Sequence, residues 1–136
     1  MPGSKRRILV VEDDRSVCDL IRAYLQMAGH EVLIARDGAE ALEKARSVRP
    51  DAMVLDINLP QIDGFGVLEK LSATPALRPP TLVLTARHAA GDVRRAISLG
   101  ARDFLAKPFT EAQLVARVTR LLRTPAEANA ARSVSI

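Results

Sequence analysis

Four short apolar runs in this chain lead into polar side chains that can handle a metal ion, a phosphate or a proton. Ile8-Leu9-Val10-Val11 runs into Glu12 and Asp13, Ala52-Met53-Val54-Leu55 into Asp56, and Thr81-Leu82-Val83-Leu84 into Thr85. Asp103-Phe104-Leu105 is followed, past Ala106, by Lys107. Brought together, three carboxylates repel one another and resist ionisation unless a cation sits among them, so the set asks for a metal. All its donors are oxygens, and neither His nor Cys belongs to it, which suits Mg²⁺ and disfavours zinc. A carboxylate beside Mg²⁺ can attack phosphorus and become an aspartyl phosphate, because the metal and an ammonium spread the charge that builds on the equatorial oxygens. Asp56 is the candidate nucleophile and Lys107 the candidate ammonium. Pro108 follows it, and a cis bond before that proline would turn the chain toward the site.

Such chemistry needs the four run ends at one edge of the molecule, and the rest of the chain supplies the scaffold. Met1 to Arg7 reads as a disordered leader, after which Ile8-Leu9-Val10-Val11 is a short apolar, β-branched run of the kind that forms a buried strand, and Ala52-Met53-Val54-Leu55 repeats the pattern of an apolar run that ends in acid. Val17, Leu20, Ile21 and Leu25 recur at helical spacing from Arg15 to Ala28, with Asp14 as N-cap and Gly29 as the stop. Glu31 to Ala35 reads as the second strand and Asp37-Gly38 as a turn. Ala39, Leu42, Ala45 and Val48 then mark a helix that ends before Pro50. A loop with Pro60, Asp63 and Gly64 precedes a third helix carrying Val67, Leu68 and Leu71, and Pro75, Pro79 and Pro80 punctuate the way to the fourth strand. Val93, Ala96 and Ile97 belong to a fourth helix closed by Gly100, and Leu114, Val118, Leu121 and Leu122 to a fifth. Five βα units predict an α/β fold, a doubly wound five-stranded parallel sheet with right-handed crossovers and helices on both faces. Such sheets bind ligands outside the carboxyl ends of their strands, where strand order reverses. Thr124 to Ile136, rich in Ala and Ser and without amphipathic period, reads as a tail or truncated linker.

Composition sets the outer bounds. A chain of 136 residues, 48% hydrophobic and 3% aromatic, has the size of one domain whose core is built from aliphatic side chains. The single cysteine, Cys18, cannot form an internal disulfide, no secretory leader is evident, and no apolar run approaches the ~20 residues needed to cross a bilayer. A soluble cytoplasmic protein, not associated with membrane, is expected. The net charge of +4 raises the question of nucleic acid, but only Lys5, Arg6 and Arg7 cluster tightly. Tyr24, Phe65, Phe104 and Phe109 are too few to form a base-stacking platform, so no direct nucleic-acid binding is expected.

The blocks Ile8-Leu9-Val10-Val11-Glu12-Asp13-Asp14, Val54-Leu55-Asp56-Ile57-Asn58-Leu59-Pro60 with Asp63-Gly64, Leu84-Thr85-Ala86, and Gly100 through Lys107-Pro108-Phe109 resemble the signature segments of response-regulator receiver domains of two-component signalling, the CheY-like superfamily. The likeness spans about residues 7 to 123, with the domain itself over 8–123. It implies a flavodoxin-like strand order 2-1-3-4-5 and a switch that takes a phosphoryl group on Asp56 from a histidine kinase, a phosphotransfer protein or a small phosphodonor. By the same likeness Asp13 ligates Mg²⁺ directly, Glu12 does so through water, and Asp56 and the backbone carbonyl of Asn58 complete the protein ligands. Thr85 and the backbone at Ala86 contact the phosphoryl group, Lys107 pairs with it, and Thr85 and Phe104 act as switch residues, Phe104 where many members have Tyr. Asn58 and Arg87 stand where attacking water would be gated. The fourth helix, fifth strand and fifth helix form the face that repacks to control an effector protein or a missing C-terminal domain. Asp103 and Arg117 resemble a charge pair used for homodimerisation through that face.

Other readings compete at several positions. Thr85 could serve as the N-cap of the helix that follows it. Phe104 reads as a packed core aromatic whatever its switching role, Cys18 as a core thiol, Asp14 as a cap and not a metal ligand, and His30 and His88 as surface residues. A haloacid-dehalogenase-like phosphohydrolase also places a nucleophilic Asp after an apolar strand, but needs a second Asp two positions on, where this chain has Asn58. A phosphorylation-independent binding module could keep the fold alone. The complete acid, Thr and Lys set speaks against that degeneration.

Overall fold

The computed structural model describes residues 5–86 and 90–123. The expectations for residues 1–4 of the leader, for Arg87 and His88, and for the tail at 124–136 lie outside the described residues. In chain order the elements are β1 (Arg7–Val11), α1 (Arg15–Met27), β2 (Glu31–Ala35), α2 (Gly38–Val48), β3 (Ala52–Asp56), α3 (Gly64–Ser72), β4 (Thr81–Thr85), α4 (Ala90–Ser98), β5 (Asp103–Ala106) and α5 (Glu111–Leu121). The prolines between α3 and β4 hold one turn of 3-10 helix, Pro75–Leu77, which helical periodicity could not reveal in three residues.

The strands pair in parallel in the order β2-β1-β3-β4-β5. Their alternating side chains feed two cores. Leu9, Val11, Met53, Leu55 and Val83 pack on the side of α2, α3 and α4, while Ile8, Val10, Val54, Leu82, Leu84 and Leu105 pack under α1 and α5. Burial on both faces explains why the inner strands read as continuous apolar runs. Fully burying each such Leu or Ile contributes about 1.5–3 kcal/mol, and this is what holds the register.

Register in turn places the strand tips. Val11 lies opposite Leu55, Asp56 opposite Leu84, and Thr85 opposite Ala106, so Glu12, Asp56, Thr85 and Lys107 fall within one residue step of a common level. Strand order reverses between β1 and β3, which puts the crevice beside Glu12 and Asp56. Local caps start the helices beyond these tips. Asp14 accepts from the N–H groups of Ser16 and Val17, Asp37 from Glu40, Asp63 from Gly66, and Thr110 with Gln113 forms a capping box. Gly64 lets α3 come close to the end of β3. A Cβ there would stand 2.6 Å from the Ile57 Cα and 2.7 Å from the Asp56 carbonyl oxygen, so only glycine fits.

Three apolar expectations need correction. Phe104 is not a packed core aromatic: it is 40% exposed, because β5 is an edge strand and Phe104 points away from the α1/α5 core that takes Leu105. Leu20 and Ile97, placed on buried helix faces by spacing, are 43% and 44% exposed, since α1 and α4 cover narrower strips of the sheet than the period alone suggests. His30 is half-buried rather than on the surface, and burial, with Arg6 nearby, holds its pKa below the ordinary value. Cys18 is buried as expected. No described helix is long and apolar enough to cross a membrane.

Candidate functional site

One carboxylate oxygen each from Glu12, Asp13 and Asp56 gathers within 4.8 Å of the others. Glu12 is buried at 1% exposure and Asp56 at 4%, while Asp13 faces solvent. Lys107 reaches across from the end of β5, its Nζ lying 2.7 Å from Glu12 Oε1 and 3.1 Å from Asp56 Oδ2. The other oxygen of Asp56, Oδ1, accepts the Asn58 N–H at 3.0 Å. The Asp56 carboxylate is thus held at both oxygens. The peptide bond between Lys107 and Pro108 is cis, and the Lys107 N–H donates to the Thr85 carbonyl at 2.8 Å, which ties the tip of β5 to that of β4.

One ammonium does not neutralise this cluster. Burial first, and the neighbouring Asp56 carboxylate next, push Glu12 up to about 7 against the pull of Lys107. Burial alone would lower Lys107, but its hydrogen bond to Glu12 and the charges of Asp56 and Glu12 outweigh that and raise it. Oxygen donors in excess of their local positive charge are what a hard divalent cation requires, so Glu12, Asp13 and Asp56 fit Mg²⁺.

Although Asp56 is buried, it is not sealed. It lines, with Asn58, Ala86 and Lys107, a cleft of about 400 Å³ whose walls are Val17, Leu20, Pro108 and Phe109. Thr85, buried at the end of β4, lies on a second cavity of about 350 Å³ shared with Val93, Arg94 and Phe104. Thr85 is not a helix N-cap, since it ends a strand and Ala86 after it is not helical. Asp103 and Arg117, read as a dimer pair, meet inside one chain. Arg117 Nη1 donates to Asp103 Oδ1 at 2.8 Å and to the Phe104 carbonyl at 3.1 Å, and Arg120 Nη2 takes Asp103 Oδ2 at 2.7 Å.

Some contributors went unnoticed in the sequence. Cys18 Sγ donates to the Glu12 carbonyl at 3.1 Å, and Arg36 Nη2 to the Asp13 carbonyl at 3.1 Å. Arg36 directly follows the run Glu31–Ala35 and so obeys the same rule of a polar residue after an apolar strand that marks Glu12 and Asp56. The apolar cleft walls carry no comparable signal, because Leu20 looks like any core residue of an amphipathic helix.

Residues 8–119 match the family described as response regulator receiver domain. The chain is 43% identical over 130 residues to response regulator MprA of Mycobacterium bovis, covering 96% of this chain and 56% of that protein. It is 48% identical over 120 residues to transcriptional regulatory protein PrrA of Mycobacterium leprae, covering 88% of this chain and 51% of that protein. The chain therefore spans about half the length of these curated relatives. Among solved structures, chemotaxis protein CheY4 of Vibrio cholerae superposes with a TM-score of 0.81 at 32% identity, covering 88% of this chain and all of that one. The receiver domain of sensor histidine kinase PA1611 from Pseudomonas aeruginosa, solved with a magnesium ion coordinated in its active site cleft, gives 0.79 at 33% identity, covering 88% of this chain and 98% of that one. With its strand order, its cluster of acids at the strand tips and these relatives, the chain belongs to the response regulator receiver domain family.

Proposed function

We propose that this chain is a phosphorylation-activated switch in which Asp56 accepts a phosphoryl group with Mg²⁺ bound by Glu12, Asp13, Asp56 and the Asn58 backbone carbonyl. The observation that carries the reading is the meeting of three carboxylates and Lys107 at the mouth of an open cleft. The magnesium ion in the related PA1611 receiver supports the choice of metal. When bound, the ion would offset the charge of the attacking carboxylate and of the incoming phosphate.

The residues divide the remaining work. Lys107 on Oδ2 and the Asn58 N–H on Oδ1 orient the Asp56 carboxylate toward the cleft. An Asp56 oxygen forms the new bond to phosphorus, while the bond from phosphorus to the donor breaks and its electron pair leaves with the donor. Lys107 then has a phosphoryl oxygen to follow, and Thr85 with the Ala86 backbone offers further donors. Phosphorylation adds about 1.5 to 2 negative charges, which draws these groups inward and lets Phe104 settle into the cavity that it already lines with Thr85. The α4-β5-α5 face then repacks. A histidine kinase or phosphotransfer protein is the donor, and the output is read by an effector protein or by a further domain such as the remaining half of the matched relatives. Beyond its own phosphotransfer and autodephosphorylation the chain turns over no substrate, and Asn58 lacks the carboxyl that a phosphohydrolase needs at that position.

Intact-mass spectrometry with acetyl phosphate and Mg²⁺ tests this. The wild type gains one phosphoryl group, whereas Asp56→Asn or chelation of the metal abolishes the gain. Undiminished labelling of Asp56→Asn refutes the assignment.

A further inference from the structure

Asp13 is the exposed member of the acid cluster, and among the described residues its carboxylate has no hydrogen-bond partner. What holds it in reach of the other two carboxylates is therefore the backbone that carries it. Two side chains hold that backbone segment. Cys18 binds the Glu12 carbonyl from α1, and Arg36 binds the Asp13 carbonyl from the turn between β2 and α2. The base of Arg36 is itself pinned. Its N–H meets Glu40 Oε2 at 3.4 Å, Glu40 pairs with Lys44 at 2.9 Å, and the next residue, Asp37, caps α2. Among the described residues Arg36 Nε is buried without a partner, an arrangement that costs free energy because the donor has given up water for nothing. The guanidinium keeps this position despite that cost, and among the described residues its single side-chain donation goes to the Asp13 carbonyl.

We infer that Arg36 is a positioning residue that presents Asp13 to the metal. The inference rests on the proposed Mg²⁺ site and adds a component from the turn after β2, an element that contributes no ligand to it. Two effects of Arg36 oppose each other. Its positive charge repels a divalent cation, whereas its Nη2 donation to the Asp13 carbonyl fixes the loop that carries a ligand. Partners that orient a metal ligand typically change affinity by about 10–100-fold. Arg36 works one step further back, through a carbonyl. Positioning outweighs repulsion here because a guanidinium paired to a carbonyl at the solvent edge is screened, while an unheld loop lets an exposed Asp13 swing away.

Metal affinity measured apart from catalysis tests this, with Mn²⁺ as the probe and paramagnetic broadening of backbone amide signals as the readout. Arg36→Ala is expected to weaken Mn²⁺ binding about three- to tenfold, and Arg36→Lys, which keeps the charge but replaces the Nη2 donor with a shorter-reaching ammonium, to fall between. In phosphorylation by acetyl phosphate, the Mg²⁺ concentration for half-maximal rate rises in Arg36→Ala while the rate at saturating Mg²⁺ stays near wild type. A role confined to fold stability would leave that half-saturation unmoved. Should Arg36→Ala not fold, Arg36→Lys carries the comparison alone. Equal or tighter Mn²⁺ binding by the variants overturns the role of Arg36 and leaves the site reading intact. A wild type that takes up no Mn²⁺ overturns both.

Discussion

Two charged clusters sit along the same sheet and solve opposite electrostatic problems. At the tips of β1 and β3, two buried carboxylates share one ammonium, and Glu12 is driven up toward neutrality. At the outer edge, on β5, one carboxylate takes two guanidiniums. Burial would raise Asp103, but the hydrogen bond from Arg120, the Phe104 N–H and the charge of Arg117 together hold it below the ordinary value. The second cluster also closes the sheet. Parallel alternation turns the N–H and C=O of Phe104 outward, and the Asp103 carboxylate and the Arg117 guanidinium occupy both, which leaves this edge little to offer another strand. A cluster with negative charge in excess is suited to receive a cation. A satisfied one stabilises what is already folded. The perturbed site is therefore the functional candidate, although both clusters involve three charged side chains within hydrogen-bonding range.

The largest expected effect comes from removing the one cation of the frustrated cluster. Lys107→Met leaves Glu12 and Asp56 buried without a counter-charge, and breaking such a pair is strongly destabilising. Because Lys107 is partly exposed and Glu12 can take up a proton, the loss in chelator is expected at about 2–3 kcal/mol in denaturant titration. Added Mg²⁺ recovers part of it, and equal stability with and without the lysine would remove the contrast. The next effect has the satisfied cluster as its target. Asp103→Asn is expected to lose about 1–2 kcal/mol at neutral pH, the range for charge-assisted hydrogen bonds at a partly exposed site. The sign with pH follows from linkage. A depressed folded pKa means stability that is fully present above the ordinary value of 3.8 and lost as pH falls through the lower folded value. The gap between wild type and Asp103→Asn should therefore close on acidification, and a gap that persists at low pH would assign the loss to packing.

The comparison also explains what was legible in the chain. Strand tips were readable because buried parallel strands are continuous apolar runs, and Glu12, Asp56 and Thr85 stand where those runs stop. Lys107 was readable because it stands just beyond Ala106 and before Pro108. Edge position is not readable from periodicity; only the family resemblance, through the strand order 2-1-3-4-5 that it implies, puts β5 at an edge. Strand order arises from how crossovers pack and leaves no trace in local periodicity, so the exposure of Phe104 on the edge strand does not follow from its apolar neighbours, just as helical spacing does not fix how wide a strip α1 and α4 cover at Leu20 and Ile97. Arginines were the other blind spot. Arg36 and Arg120 reach their partners across 23 and 17 positions of sequence through long flexible stems, and spacing cannot foresee which carbonyl or carboxylate each will find, while the pairing of Arg117 with Asp103 is marked only by the family resemblance.

The smallest expected effect is the sharpest test, because the two clusters should answer the same substitution with opposite signs. Changing Asp103 to its amide removes a charge that is more than compensated. Changing Asp56 to its amide removes one that is not. In chelator, Asp56→Asn relieves the repulsion that raises Glu12 and leaves Lys107 free to pair with Glu12 alone, while the Asn carbonyl oxygen can still accept the Asn58 N–H. A gain of about 1 kcal/mol is expected, well short of the full repulsion because Glu12 already sheds part of its charge by protonation. Mg²⁺ should then stabilise the wild type more than Asp56→Asn, since a ligand stabilises the fold by an amount that grows with the logarithm of its affinity and the variant has lost one donor. Loss of stability in both amide variants would mean that the Asp56 carboxylate is held as well as Asp103, and the distinction between a poised cluster and a closed one would fail.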